Sequence, residues 1–402
     1  MTFNLKLLNL RKRQRRYLTF ILETEPKAKE TTKNKPELQK KFIEAVKLRK
    51  WDKIKGKVAV EITVCTNQKT PPQIQKVIKN ILDIMHKKEL LLNKDDEPYL
   101  PLWDDKSIKY LRAKYVFIED KSYFVIKMRP FSSFISDIHF VETELDLDYE
   151  SESTARDNWE DYSDFIHNKK AYLKILSKAA YESMLNLKLL DVQKDSCDLM
   201  NITPPIIRLL YPKRSRGSKH FRDVYRTWAS SLLGAPIRIH LPGIPLNEKR
   251  ERDYKTKYVE EIKKQMRQYL ATHPIFNKFQ SPILITVFYM PPRKKKRDYK
   301  DIDNIMLEYI MPAMNDIYRP PVSLFGMGMS ACEKNDFIRS SAPKSLNGSA
   351  IGYEIIELPY NFAKVDTGFI IVGFKIEDME SSIIDYVDEK IEKYMEENEY
   401  LE

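Results

Sequence analysis

The chain has 402 residues, of which 42% are hydrophobic and 32% are charged, and its formal net charge is +11 at pH 7. A chain of this length can bury two or three cores. Its excess of Lys and Arg favours a polyanionic partner, either nucleic acid or anionic lipid. Only 10 glycines occur, and no phosphate-loop or dinucleotide-binding motif is present, so a nucleotide-binding enzyme of those classes is excluded.

The cysteines and histidines form no familiar metal or disulfide pattern. Cys65, Cys197 and Cys332 are far apart, which excludes paired zinc spacing and a disulfide framework and favours a reduced, cytoplasmic compartment. The six histidines are scattered, and each is expected to be an ordinary surface or core residue. Charges interrupt the apolar residues near the N-terminus, and no run of about 18 apolar residues occurs. We therefore expect neither a signal peptide nor a membrane span.

Strand and helix patterns alternate over the first third of the chain. "YLTFILET" alternates and is rich in residues that favour strands, and the helix that follows opens on a proline and has apolar residues at helical spacing. A second helix carries one apolar stripe from Ile74 to Met85. The predicted strands and helices are strand 17–24, helix 36–50, strand 57–65, helix 73–88 and strands 107–118 and 122–131.

The same order recurs later in the chain. The predicted elements there are strand 236–243, helix 254–270, strand 281–290, a helix beginning at Asp303 and strand 349–358. The offset from the first set is roughly 220–228 residues throughout. Five elements in one order at a near-constant offset predict an internal duplication of an α+β unit.

The region between the two sets differs from both. Residues 142–164 are acidic and poor in apolar residues, which predicts a solvated linker; a segment that covers a basic groove in the absence of nucleic acid is the other interpretation. Residues 169–190 predict a helix. Residues 211–226 are basic with interleaved aromatics, which suits phosphate contacts or a solvated face. The C-terminal residues predict an acidic amphipathic helix for docking or partner binding.

The stretch "RDYKDIDN" at 297–304 carries the strongest chemical signal. Asp301 and Asp303 can point to one side at a junction between extended chain and helix, and carboxylates hold hard cations such as Mg²⁺. Asp303 could instead cap the helix, or the loop, including Asp298, could simply balance charge. The preceding basic run suits contacts with the phosphates of a polyanion such as DNA; its residues are Arg293, Lys294, Lys295, Lys296 and Arg297.

These residues resemble the RusA-like Holliday junction endonucleases, crossover junction endodeoxyribonucleases whose unit contains a basic loop, a D-x-D-N motif that opens a helix, a lysine and a W-x-D-D step. "KKKRDYKDIDNIMLEYIMPAM" places Asp301, Asp303 and Asn304 on the motif. "QIQKVIKNILDIM" resembles the same helix in the first copy, and "LWDDKSI" resembles the later step. The first-copy matches are Gln73 and Gln75 at the aspartate positions, Lys79 at the lysine position, Asp83 at a later acidic position, and Trp103, Asp104 and Asp105.

The resemblance implies an α+β fold of two tandem RusA-like units, each a mixed sheet with packed helices, joined by a mainly helical insert. The expected divisions are a first unit with a degenerate acidic motif at 1–140, an acidic linker and helical insert at 141–232, a second unit with the D-x-D-N motif at 233–378 and a C-terminal acidic helix at 379–402. The two units would form a pseudo-dimer within one chain, and further oligomerisation is left open.

The resemblance also implies a hydrolase of DNA recombination and repair that cuts branched DNA with Mg²⁺ or Mn²⁺, and Asp301 and Asp303 are the metal ligands that it implies. Neither copy is complete. The first has Gln73 and Gln75 in place of the two aspartates, and the second has Leu307 at the lysine position and Pro312 within the helix. Asp336 or Asp316 would supply a third carboxylate there. The expected catalytic set is Asp301, Asp303, Asp336, Lys79 and Asp105.

Two further interpretations are kept. The complementary losses permit, but do not require, one composite site built from both copies, and Asp104 and Asp105 could merely form a turn or a cap. The rival functions are an inactive RusA-like DNA-binding protein and an interaction protein of a mobile-element or phage-related system.

Overall fold

The structure is a computed structural model, and it describes most of the chain. Several residues that the sequence singles out lie outside the described part, among them Trp103, the basic run at 293–297, Asp298, Asp316 and Asp336. The described residues are 5–31, 33–48, 56–68, 71–102, 104–145, 154–198, 202–211, 239–242, 251–273, 275, 283–291, 300–314, 350–359, 368–376 and 382–399.

The described residues form one eight-stranded sheet with helices packed on it. The strands are β1 (Leu18–Glu23), β2 (Val58–Thr66), β3 (Ile108–Phe117), β4 (Tyr123–Pro130), β5 (Ile239–Pro242), β6 (Ile283–Met290), β7 (Gly352–Glu357) and β8 (Phe369–Ile376). The helices are α1 (Leu5–Gln14), α2 (Asn34–Leu48), α3 (Ile74–His86), α4 (Phe131–Glu144), α5 (Thr154–His167), α6 (Lys169–Ile175), α7 (Lys178–Asp198), α8 (Pro204–Leu210), α9 (Glu251–Thr272), α10 and α11 (Ile383–Glu399). Helix α10 comprises Ile302–Ile305, a π-helical turn Met306–Ile310 and Met311–Met314.

The sheet confirms the α+β class, and its strand order is β1-β4-β2-β3-β7-β6-β8-β5. Both halves use the same pairings. The outermost strand pairs antiparallel with its neighbour, that neighbour pairs antiparallel with the next strand, and the innermost pair is parallel. The two halves meet where β3 pairs antiparallel with β7.

The register repeats as well as the order. Ile62 lies opposite Ala113 in the first half, Ile285 lies opposite Tyr353 in the second, and Ala113 lies opposite Tyr353 across the junction. An antiparallel junction between two halves with equivalent pairing is what a pseudo-twofold arrangement requires. Whether residues 17–133 superpose on 236–360 stays a prediction.

Gly352 allows the two halves to approach closely at this junction. A Cβ atom at this position would lie 2.2 Å from the carbonyl oxygen of Ala113 and 2.6 Å from a methyl carbon of Leu284. No side chain fits at such distances, so a residue without Cβ is required here.

Helices cover both faces of the sheet. Side chains alternate between the faces of a strand, and Phe20, which contacts Phe42 of α2, lies on the face that also presents Tyr353. Lys127 and Arg129 point the other way and pair with acidic residues of α11, and Tyr110 on that second face contacts Phe134 of α4. All eight residues of β6 are buried, as expected for a strand covered on both sides.

The C-terminal helix α11 follows the second half of the sheet but docks on the first. The Ser382 hydroxyl donates to Glu61 at 2.6 Å, and Arg129 donates to Asp388 at the same distance. Ile384, Val387 and Ile391 lie on the buried face of this helix. The acidic amphipathic segment predicted at 379–402 is therefore a helix over Ile383–Glu399 that packs against the body of the protein.

The acidic segment 142–164 is largely helical where it is described, which the prediction of a linker did not include, and its described residues in α5 are exposed or half-buried. Helix α4 continues to Glu144, and α5 occupies Thr154–His167. Phe165 of α5 is 1% exposed and stacks on Tyr181 of α7. The acidic residues of α5 are exposed. They dominate the composition of the segment, so the few apolar residues that pack the helix are hard to recognise in the sequence.

Helix α10 departs from regular α-helical geometry beside Pro312. A proline has no N–H for the helix ladder, and its ring crowds the carbonyl four residues earlier, here that of Glu308. The π-helical turn Met306–Ile310 lies immediately before this position, and we attribute it to the proline. None of the described helices has both the length and the apolar character needed to cross a membrane.

Candidate metal centre

The D-x-D-N residues lie where extended chain enters α10. Asp301 has extended backbone angles and occupies the N-cap position, although its side chain makes no capping hydrogen bond. Asp303 lies in the first helical turn, and its side chain is 1% exposed. The interpretation of Asp303 as the N-cap is therefore wrong, and a purely solvated, charge-balanced loop does not describe its burial.

Lys79 of α3 reaches the same place from the first half of the sheet. Its ammonium nitrogen lies 2.8 Å from Oδ2 of Asp303 and 2.8 Å from Oδ2 of Asp105. It also lies 3.3 Å from Oδ1 of Asp83, one turn along α3. Three carboxylates therefore surround one ammonium group.

A short 3-10 helix, Asp105–Ser107, presents Asp105 to this cluster. The preceding Asp104 caps it, because its carboxylate accepts from the backbone N–H of Lys106 at 3.1 Å. The turn or cap interpretation thus holds for Asp104. It does not hold for Asp105, which faces Lys79.

Asp105, Asp301 and Asp303 could hold a metal ion. Each offers a carboxylate oxygen, and these oxygens lie within 4.8 Å of one another. The first aspartate comes from the first half of the sheet and the other two from the second. The residues that each predicted copy lacks on its own are thus brought together in one composite cluster, with Lys79 and Asp105 from the first and Asp301 and Asp303 from the second.

Asp303 provides a test of whether a cation fits. Its Oδ1 is buried and has no hydrogen-bond donor among the described residues. A buried carboxylate oxygen without a partner is costly, and either a proton shared with Asp301 or a bound cation would remove that cost. Three carboxylates are also the ligand type that Mg²⁺ and Mn²⁺ prefer.

Close packing of these groups shifts the pKa values of Asp303, Asp105 and Lys79. Burial, reinforced by the neighbouring Asp301 and opposed by Lys79, raises the pKa of Asp303 to about 8. The pKa of Asp105 is lowered. Burial acts to raise it, but the hydrogen bond and the charge of Lys79 outweigh burial. For Lys79, burial disfavours the ammonium, but Asp303 and Asp105 outweigh it, so the pKa is raised and the side chain stays charged.

Asn304 positions Asp301. Its side-chain amide donates to Oδ1 of Asp301, which leaves the other carboxylate oxygen to face the cluster. The corresponding positions of the first half behave differently. Gln75 is buried and donates to Gln73 at 3.3 Å, so two neutral amides pair with each other and bind a hard cation poorly.

The structure brings together Asp301, Asp303, Lys79 and Asp105 from the predicted site. The structure does not test Asp336 or the basic run Arg293, Lys294, Lys295, Lys296 and Arg297, because they lie outside the described residues. Sequence reasoning missed His86, whose imidazole lies with Asp83 and Asp105. The available signal was the spacing Asp83-x-x-His86, which places both side chains on one helix face.

Comparison with protein-family models, with curated proteins and with solved structures finds no match for this chain.

Proposed function

We propose that the protein is a metal-dependent endonuclease that hydrolyses phosphodiester bonds in branched DNA. The observation that supports this best is the convergence of Asp105, Asp301, Asp303 and Lys79 from two halves of one sheet. The resemblance of the same residues to the RusA-like motif supplies the reaction class and the substrate class.

Each group has a role in such a reaction. Asp105, Asp301 and Asp303 would hold Mg²⁺ or Mn²⁺, which when bound polarises the phosphate and lowers the pKa of a bound water. The Lys79 ammonium would stabilise negative charge that develops on the phosphate oxygens. Asn304 would keep Asp301 oriented toward the cluster.

Charge outside the cluster also supports a DNA substrate. The chain carries a net charge of +11, and three residues separate the D-x-D-N motif from the basic run Arg293, Lys294, Lys295, Lys296 and Arg297. Each contact between a basic side chain and a phosphate adds salt-dependent affinity without sequence preference. The sequence pattern offers no evident recognition helix for the major groove, which favours a substrate recognised by its shape, such as branched DNA.

The test is cleavage of a four-way junction in Mg²⁺ or Mn²⁺ by Asp303→Asn and Asp105→Asn. Because both carboxylates belong to one cluster, each variant should lose at least about 100-fold in rate. Asp104→Asn is the matched control, since it is adjacent to Asp105 and an asparagine keeps the cap. It should cleave like the natural protein, and thermal melting of all three variants monitors folding.

Other outcomes favour the rival functions. Salt-sensitive junction binding without cleavage by the natural protein favours an inactive DNA-binding protein, and absence of binding favours an interaction protein. Full activity in Asp303→Asn would refute the proposed site. Full activity in Asp105→Asn alone would confine the site to the second half of the sheet.

A further inference from the structure

Asp105 belongs to a second group of metal-type ligands. One ligand atom from each of Asp83, His86 and Asp105 lies within 4.8 Å of the others. This group and the group of Asp105, Asp301 and Asp303 therefore share one carboxylate. A carboxylate has two oxygens and several lone pairs, so it can serve two cations at once.

The hydrogen bonding of His86 leaves one ring nitrogen able to bind a metal ion. Its Nδ1 lies 2.9 Å from the backbone carbonyl of Leu82. A neutral imidazole that donates from Nδ1 carries its lone pair on Nε2, and metal-bound histidines typically make such a second hydrogen bond.

The orphaned oxygen of Asp303 indicates that the position formed with Asp105 and Asp301 takes a cation. Its side chain is 1% exposed, and its Oδ1 has no donor among the described residues. Lys79 bonds the other oxygen of Asp303. One ammonium therefore does not saturate this carboxylate cluster.

We propose that the protein holds two metal ions bridged by Asp105. The position formed with Asp301 and Asp303 has oxygen ligands only and suits Mg²⁺ or Mn²⁺. The position formed with Asp83 and His86 has an imidazole nitrogen and selects Mn²⁺ or Zn²⁺ over Mg²⁺. The inference rests on the proposed function only for the first position.

Two lysines compete for the second position. Asp83 accepts an ion pair from Lys87 at 3.0 Å and one from Lys79 at 3.3 Å. A metal ion must displace or share these contacts, so the His86 position binds more weakly than a site of unpaired ligands. Lys87 is 41% exposed and can turn into solvent.

The experiment measures bound metal without DNA or turnover. Full-length protein is equilibrated with Mn²⁺, and the bound metal per chain is determined by calorimetry and elemental analysis. His86→Gln should bind one Mn²⁺ fewer than the natural protein and should keep its Mg²⁺ binding. Electron paramagnetic resonance should show two exchange-coupled Mn²⁺ ions, and this coupling should vanish in His86→Gln.

His167→Gln is the matched control. Asp164 and His167 repeat the helical spacing of Asp83 and His86, and Nδ1 of His167 also lies near a backbone carbonyl four residues earlier, at 2.7 Å. No third ligand joins them among the described residues. This variant should keep the natural stoichiometry.

The outcomes separate the inference from the proposed function. Loss of one Mn²⁺ in His86→Gln alone supports the second position even if no DNA is cut. Equal Mn²⁺ stoichiometry in the natural protein and His86→Gln overturns it even if cleavage is observed. Circular dichroism melting of both variants confirms that the comparison is between folded proteins.

Discussion

At the scale of single residues, the sequence indicates which residues could bind a metal ion but not which of them lie close together in the fold. The spacing of Asp301 and Asp303 before an apolar helix predicts a cation site from local chemistry alone. Lys79 lies 224 residues away from Asp303, so only folding brings them together. His86 went unrecognised because its third ligand, Asp105, follows on a separate turn after α3.

Lys79→Met should raise the affinity for Mn²⁺ and lower cleavage. The substitution removes the positive charge between Asp83, Asp105 and Asp303 while keeping much of the side-chain volume. Removal of one nearby unit charge should strengthen binding of a divalent cation by at least about 10-fold. Without metal, Asp83 and Asp105 then lose an ion pair and Asp303 takes up a proton, so the metal-free variant should be destabilised by about 1–3 kcal/mol.

Calorimetry and melting with and without Mn²⁺ measure these two effects. Lys76→Met, an exposed position on the same helix, is the control and should change neither. Unchanged Mn²⁺ affinity in Lys79→Met would mean that the ammonium and the metal do not share the cluster.

At the scale of helices and strands, alternation and apolar stripes predict most elements near the observed bounds. The strand predicted at 57–65 is observed as β2, and the helix predicted at 73–88 is observed as α3. Helix α4 was missed because it follows β4 without a break and mixes aromatic and polar residues. The π-helical turn in α10 could not be predicted, since a proline within a helix can kink, end or widen it.

Gly352→Ala tests the junction between the two halves. The new Cβ would overlap the carbonyl of Ala113 and the backbone of Lys114. Backbone atoms cannot move away as a flexible side chain can, so β3 and β7 must separate. The free energy of unfolding should fall by about 1–3 kcal/mol or more. Because the candidate site draws residues from both halves, cleavage and Mn²⁺ binding should fall together with the melting temperature.

Gly56→Ala is the comparison for this prediction. Its backbone φ is +148°, but a Cβ there meets no described atom within 4 Å. It should cost only backbone strain, on the order of 1 kcal/mol, and should leave the Mn²⁺ stoichiometry unchanged. Equal melting temperatures for Gly352→Ala and the natural protein would contradict the tight junction.

At the scale of the whole molecule, the two predicted units share one continuous sheet. The antiparallel pairing of β3 with β7 could not be inferred from either half of the sequence, because strand patterns do not encode which edges meet. Once paired, these strands place α3 and α10 side by side, and the candidate site lies between them. A division of the chain at the insert would therefore split the site.

Replacement of Lys294, Lys295 and Lys296 by Ala should weaken DNA binding without regard to sequence. If these side chains contact phosphates, the dependence of log K on log salt should flatten by up to about three units. Lys170, Lys174 and Lys178 are exposed in or just after α6, and their replacement by Ala removes the same charge. If both triple variants lose equal affinity and slope, the effect is one of net charge and not of this run.

For the proposed endonuclease, the asymmetry of the two halves predicts the number of cuts per bound chain. Asp301 and Asp303 have Gln73 and Gln75 as counterparts, so we expect one cutting site per chain. A supercoiled plasmid with an extruded cruciform reports this number, because the first nick relaxes the plasmid and the cruciform collapses before a second chain can act. The monomeric protein should therefore leave nicked circles as the final product, and Asp303→Asn should leave the plasmid supercoiled. Linear plasmid at the earliest times, from a sample that sedimentation shows to be monomeric, would require a second active site in the chain. If the sample is instead a dimer, linear product is expected, because two copies of the composite site would then act on one junction.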